Sequence, residues 1–377
     1  MAVGKSPVKA NMTNIPVYKP FLFGNETKYV MNCLDSTWIS SQGKYIDEFE
    51  QKFAEYIGVK YATTVVNGTM ALHLSLVALG VGPGDEVIVP TLTYVASANA
   101  ITYTGAVPVF ADSLENTWQI DPEDVRRKIT SKTRGIIAVH LYGHPAEMDL
   151  LEALAREYNL FLIEDCAEAV GTRYKARHVG GFGNISTFSF YGNKTITSGE
   201  GGMVATNDPI LYEKAVRLKG QGAVKKRHYY HDRIGYNYQM TNICAAIGLA
   251  QLEQIHEILQ KKRHIARQYQ EVLQGLPLQF HDEVGDVFHS YWMCSILTSD
   301  PAQRDLLRHF LANDNIETRP VFYPVHTMPM YLQKSGCFAV AENISSRGIN
   351  LPSWPGLEKS DVEFIGTCIR QFIQSRA

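Results

Sequence analysis

The sequence predicts an α/β protein with a mainly parallel central sheet flanked by helices, followed by a smaller C-terminal α+β domain. Three observations predict it. Short apolar runs alternate with stretches of helical character, the order that successive βαβ units produce. Gly82-Pro83-Gly84-Asp85 spells a turn between a helix and a strand. From about Asn242 to Gln274 the chain reads as one long helix or two, rich in Ala, Leu, Gln, Glu and Lys, and this stretch links the two parts. The expected division is a large domain over residues 1–255 and a small one over residues 256–377.

In chain order, buried strands are expected at Ala62–Val66, Glu86–Val89, Val107–Phe110, Gly135–His140, Leu160–Glu164 and Ser186–Tyr191, each a short run of apolar and β-branched residues. Helices are expected between them, over Thr69–Leu79, Val95–Thr104 and Asp149–Tyr158. In the C-terminal part Ser290–Leu297 reads as a strand and Gln303–Asn313 as a helix. No internal repeat or low-complexity tract is visible.

Composition excludes several classes. Of the 377 residues 45% are hydrophobic, ample for a core, so the chain is not intrinsically disordered. Lys plus Arg (36) against Asp plus Glu (38) leaves a net charge of −2, with no basic excess to drive nucleic-acid or membrane-surface binding. No apolar run approaches the roughly 20 residues of a membrane helix. The first sixteen residues lack an apolar signal core, so a cytoplasmic location is expected. The six cysteines lie far apart without a CxxC, which suits free thiols and neither a disulfide frame nor a zinc site. There is no GxGxxG and no HExxH, and Gly4-Lys5-Ser6 has no upstream glycine for a Walker loop. The histidines show no metal-ligand spacing, so no metal is expected; His140 and His144 straddle Gly143 as a strand end and a loop.

Three segments carry chemistry. In Val65-Val66-Asn67-Gly68-Thr69-Met70-Ala71-Leu72 a β-rich run ends in Asn-Gly-Thr and a helix follows at once. The N–H groups of that helix start, its dipole and the Thr69 hydroxyl suit a phosphate; an ordinary turn with Thr69 as N-cap gives the same pattern. In Leu160–Glu168 the carboxylates Glu164 and Asp165 end an apolar strand, where open α/β sheets place their ligands. An acid there holds a metal, a ribose hydroxyl or a protonated ring nitrogen, or is simply solvated. In Ser186–Met203 a strand runs into Gly192-Asn193-Lys194 and then into a loop of small residues. Most lysines are solvated, but this turn leaves room beside Lys194 for a planar ligand, and a partly desolvated amine is a good Schiff-base nucleophile. Tyr94, just past a strand end, either stacks on a flat ring or packs in the core.

Together these pieces fit one cofactor. Pyridoxal 5'-phosphate needs a phosphate cup, a stacking face, an acid for the pyridine nitrogen and a Schiff-base lysine. The chain offers them in order as Asn67–Thr69, Tyr94, Asp165 and Lys194.

This order and spacing resemble the sugar aminotransferases of the DegT family, in the aspartate-aminotransferase fold group (PLP-dependent fold type I). The resemblance runs from Thr37-Trp38-Ile39-Ser40 to Gly348-Ile349-Asn350-Leu351-Pro352. It takes in Gly82–Pro90, Asn67-Gly68-Thr69, Glu164-Asp165, Ser189-Phe190 with Lys194, Gly199-Glu200-Gly201-Gly202 and Tyr236–Asn242. Asp165–Gly171 and Val321–His326 are similar to those of members that aminate C4 of GDP-4-keto-6-deoxymannose for O-antigen synthesis.

The resemblance implies that Lys194 forms the Schiff base and moves protons, with glutamate as amino donor. It implies that Asp165 keeps the pyridine nitrogen protonated, that Gly68, Thr69 and Ser189 hold the phosphate, and that Trp38 and His326 lie near the sugar nucleotide. Asn237 is implied to reach the phosphate of a neighbouring subunit, in a homodimer or a dimer of dimers. Glu168 stands where many members carry glutamine, beside the cofactor's 3′ oxygen, and is expected to be protonated when the cofactor is bound; a turn toward a backbone donor is the alternative. Two other classes compete. A sugar 3-dehydratase of the same family carries histidine in place of Lys194, and a non-catalytic cofactor-binding regulator would not need the set Asp165, Ser189 and Lys194. A UDP- or dTDP-linked keto sugar is the alternative acceptor.

Overall fold

The computed structural model describes residues 14–224, 227–332 and 337–376, so Gly4-Lys5-Ser6 lies outside the described residues. Seven strands form the central sheet: β1 (Tyr61–Val65), β2 (Glu86–Pro90), β3 (Val107–Ala111), β4 (Thr133–Val139), β5 (Phe161–Asp165), β6 (Ile185–Ser189) and β7 (Gly202–Thr206). Their order is β1-β7-β6-β5-β4-β2-β3. The pairs β2–β3, β2–β4, β4–β5 and β5–β6 are parallel, and β7 runs antiparallel to both its neighbours.

Six of these strands lie within two residues of the predicted positions. The seventh, β7, falls where the sequence suggests the end of a small-residue loop. Its opening glycine is steric: a Cβ on Gly202 would stand 2.6 Å from the Asn67 carbonyl, so a larger residue would push β7 off the start of the helix Gly68–Ala78. The linking stretch is two helices, Asn242–Glu253 and Ile255–Val272, the second packed against the C-terminal helix Lys359–Gln374.

Beyond it, β8 (Leu278–Phe280), β9 (Cys294–Thr298), β10 (Arg319–Pro320) and β11 (Gly348–Leu351) make an antiparallel sheet in the order β8-β9-β11-β10. The expected strand Ser290–Leu297 is shorter than predicted because Tyr291 adopts a left-handed φ of 49°, which breaks the extended run before Cys294. The two parts share a core: Trp292, Val321, Val325 and Phe338 pack in one cluster with Leu92 and Val139. Among the described residues no helix is long and apolar enough to cross a membrane.

Strand alternation separates the two acids of β5. Glu164 is fully buried and accepts N–H bonds from Gly180, Phe182 and Gly183, each at 2.7 Å. It also accepts from His140 Nε2 at 3.1 Å, which carries the proton because His140 Nδ1 accepts the Ala146 N–H. Glu164 therefore pins the 180–183 loop beneath the sheet, and Asp165 alone faces the ligand side.

Candidate active site

The ends of β2, β5 and β6 and the start of the helix Gly68–Ala78 open on one cavity of about 450 Å³. Gly68, Thr69, Tyr94, Asp165, Glu168, Ser189 and Lys194 all line it.

The cap of the helix is Asn67, not Thr69: its Oδ1 accepts the Met70 N–H at 2.9 Å, from an extended backbone at φ −165°. Gly68 and Thr69 thus occupy the first helical positions, whose N–H groups have no acceptor within the helix. A Cβ on Gly68 would lie 2.8 Å from Ser189 Cβ, so glycine lets the helix start close on the end of β6. Ser189 Oγ accepts the Tyr191 N–H at 3.4 Å and keeps its own hydrogen to donate. This corner offers donors and a helix dipole to an anion.

Asp165 is buried, with Oδ2 accepting from Ser97 Oγ at 2.8 Å and Oδ1 from the Ala167 N–H at 3.1 Å. Burial raises its pKa, and these donors, Lys194 and His140 work against that rise. Tyr94 is 56% exposed and its ring lies 5.7 Å from that of Phe322.

Lys194 sits on a turn held by backbone bonds: its N–H donates to the Tyr191 carbonyl at 2.9 Å, and Tyr18 OH donates to its carbonyl at 2.6 Å. Its Nζ lies 4.0 Å from the centre of the Trp292 ring and 3.6 Å from Glu168 Oε1. Trp292 is fixed in turn by Nε1 donating to the Asn193 carbonyl at 2.6 Å. Burial lowers the Lys194 pKa, and Glu168 and Asp165 oppose the shift. The amine is thereby brought nearer the neutral form that attacks carbonyls.

Glu168 divides its two oxygens. Oε2 accepts the Tyr142 N–H at 2.9 Å, while Oε1 faces Lys194. Burial pushes its pKa up to about 7, against the pull of Lys194 and the Tyr142 N–H. A carboxyl whose folded pKa exceeds its ordinary 4.5 contributes stability that is fully present below about pH 4.5 and is lost as pH rises through about 7. Glu168→Gln cannot titrate, so it should gain on the parent by as much as ~3 kcal/mol between acid and mildly alkaline solution. Thermal unfolding of the ligand-free pair across that range checks this, and parallel curves would refute it.

Three residues singled out in the sequence do not join this cavity. Asn237 is paired through its backbone with Gly220 and lies outside the cavity of its own chain. Trp38 is 55% exposed and borders a separate surface hollow with Asn32, Lys44 and Asn242. His326 is buried behind the cavity wall with both ring nitrogens engaged, so in this chain it offers nothing to a ligand. Conversely, the sequence reading missed Ser97, Tyr142, Trp292, Arg319, Phe322 and Asn350, all of which line the cavity. Ser97 carried a signal as a hydroxyl three residues past Tyr94, and Phe322 and Asn350 lie within segments that carry the resemblance.

Comparison with known proteins identifies the architecture. The model of the DegT/DnrJ/EryC1/StrS aminotransferase family matches residues 22–370. The chain is 59% identical over 365 residues to a GDP-perosamine synthase of Escherichia coli O157:H7, covering 97% of this chain and all of the relative. It is 54% identical over 362 residues to one of Vibrio cholerae, covering 95% and 99%. The PLP form of a putative sugar aminotransferase from Streptococcus pneumoniae superimposes with a TM-score of 0.91 at 27% identity, covering 97% of this chain and all of that one. The fold is thus the expected aminotransferase fold type I, and the chain belongs to the DegT/DnrJ/EryC1/StrS aminotransferase family.

Proposed function

We propose that the protein is a pyridoxal-phosphate-dependent sugar aminotransferase that moves the amino group of glutamate to C4 of GDP-4-keto-6-deoxymannose, giving GDP-perosamine. One observation carries the reading: a buried lysine amine, a buried carboxylate and a donor-lined helix start share one cavity. That donor set fits the cofactor. Gly68, Thr69 and Ser189 would hold its phosphate, Asp165 would balance a protonated ring nitrogen, and Tyr94 would cover a ring face.

When bound, the cofactor supplies a reactive carbonyl and a ring that stabilises carbanion charge. Lys194 would hold the group through Nζ, and the same amine, when free, would carry a proton to and from the reacting carbon. Glu168 stands beside Nζ, able to accept or return that proton. Trp292 and Tyr142 close the wall around the amine and exclude water. The GDP-linked acceptor follows from the names of the relatives at 59% and 54% identity.

The test is a half-reaction screen. Glutamate should release 2-oxoglutarate from the loaded enzyme, which should then aminate the GDP-linked keto sugar in preference to UDP- and dTDP-linked ones. Faster turnover of a UDP or dTDP sugar would overturn the acceptor assignment.

The site is shared between subunits in this reading, with Asn237 completing the partner's phosphate cup in a homodimer or a dimer of dimers. Inactive Lys194→Ala and Asn237→Ala chains, mixed under conditions of subunit exchange, should recover part of the activity. No recovery would sink the shared site.

A further inference from the structure

Thr91, His326 and Glu342 form a hydrogen-bonded chain that takes no part in the chemistry above. Thr91 follows the last residue of β2 and is fully buried. Its Oγ1 accepts the His326 backbone N–H at 3.3 Å and lies 2.6 Å from His326 Nδ1. Its carbonyl accepts the Val325 N–H at 2.8 Å. The hydroxyl hydrogen remains free to donate to Nδ1 in the tautomer whose Nε2–H faces Glu342. Nε2 lies 3.1 Å from the Glu342 carboxylate, on the helix Ala339–Arg347, and Phe338 stacks on the ring at 4.2 Å. Hydroxyl, imidazole and carboxylate in this order are the parts of a hydrolytic triad, but Thr91 is sealed from solvent and no substrate can reach it.

The chain instead bridges two walls of the cavity. Thr93 and Tyr94 line it just beyond Thr91, and Arg319, Pro320 and Phe322 line it just before His326. Pro324 stiffens the short path from Phe322 to His326, so a shift of the histidine is passed to the wall. The rings of Tyr94 and Phe322 meet tilted at 50° with centroids 5.7 Å apart, so the two walls touch.

The geometry points to His326 as a positioning residue that seats the 319–322 wall against the Tyr94 side of the cavity, and so sets the fit of the acceptor sugar, by gripping Thr91 and Glu342 without touching the sugar. Its kinetic readout rests on the aminotransferase reading; its structural readout does not. Thr91→Val and His326→Gln should each raise KM for the keto sugar about fivefold to tenfold, with kcat and the glutamate half-reaction held within about twofold. The double variant should be no worse than the weaker single, because both cut one connection. Thr91→Ser, which restores the hydroxyl, should match the parent. Glu342→Gln, on an exposed side chain that folding does not need, should raise KM about twofold.

Hydrogen–deuterium exchange of the 319–328 segment should quicken in Thr91→Val and His326→Gln while the 186–194 segment stays unchanged. Should Thr91→Val not fold, the Thr91→Ser and Glu342→Gln pair with His326→Gln decides the matter by the same two readouts. If His326→Gln alone raises KM, with Thr91→Val and Glu342→Gln silent in kinetics and exchange, the histidine touches the sugar and the positioning role is overturned. If the parent aminates no sugar at all, the functional reading fails, and exchange still judges the clamp.

Discussion

Lys194→Ala is expected to lower amino transfer by at least ~10⁴-fold while leaving the fold in place, because in the proposed function one side chain would supply both the covalent link and the proton carrier. The fold survives for identifiable reasons. The turn around residue 194 is held through backbone atoms, the Lys194 N–H to the Tyr191 carbonyl and Tyr18 OH to the Lys194 carbonyl, and neither bond needs the side chain. Removing the ammonium leaves Glu168 beside an empty space, but burial already favours its neutral form, so no lone charge is stranded. Lys194→Arg separates charge from chemistry. A guanidinium keeps the cation between Glu168 and the Trp292 face but does not lose its proton to become a nucleophile. It should therefore be as inactive as the alanine variant. Borohydride reduction of the loaded parent should fix the cofactor to the peptide that bears Lys194. Label on another lysine, or more than about 1% residual turnover in Lys194→Ala, would remove this residue from its role.

The parts of this site that were legible in the sequence are those in which neighbours along the chain remain neighbours in space. A strand that ends in Asn-Gly-Thr before a helix places its own donors, so Gly68 and Thr69 could be picked out without knowing the fold, although a second capping type two residues on hid the fact that Asn67 is the cap. Asp165 and Lys194 were readable because a parallel sheet sends the ends of its buried strands to one side. Trp292 and Tyr142 were not, since what delivers them is left-handed backbone at tyrosines, which rarely adopt it: φ is 55° at Tyr142 and 49° at Tyr291. His326 shows the converse. Its segment does run past the cavity, but Thr91 and Glu342 lie far away in sequence and claim both ring nitrogens, a fact that only the tertiary structure contains. Strand β7 escaped because a glycine and an alanine weaken its β-signal, and its place is set by close approach to Asn67 instead of by propensity.

Asp165→Asn is expected to cost ~10²–10³-fold in turnover and to loosen the cofactor, because it removes a charge while preserving a shape. The amide can keep both contacts of the carboxylate. Its oxygen still accepts the Ala167 N–H, and its NH₂ donates to Ser97 Oγ once that hydroxyl rotates from donor to acceptor. Asp165→Ala would instead leave two donors facing an empty space, mixing lost charge with lost structure. Ser97→Ala probes the same charge from outside. Ser97 favours the ionised form of Asp165, so its loss moves the Asp165 pKa further in the direction burial already drives it, upward. A raised carboxylate is protonated at higher pH, so Ser97→Ala should lose activity progressively as pH falls while differing by no more than about tenfold from the parent in mildly alkaline solution. The measurements are kcat/KM across pH and cofactor retention on gel filtration, followed by absorbance. If Asp165→Asn keeps more than about a tenth of parental turnover, the charge at this position is dispensable, and the buried carboxylate is there only to hold Ser97 and the 165–167 turn in place.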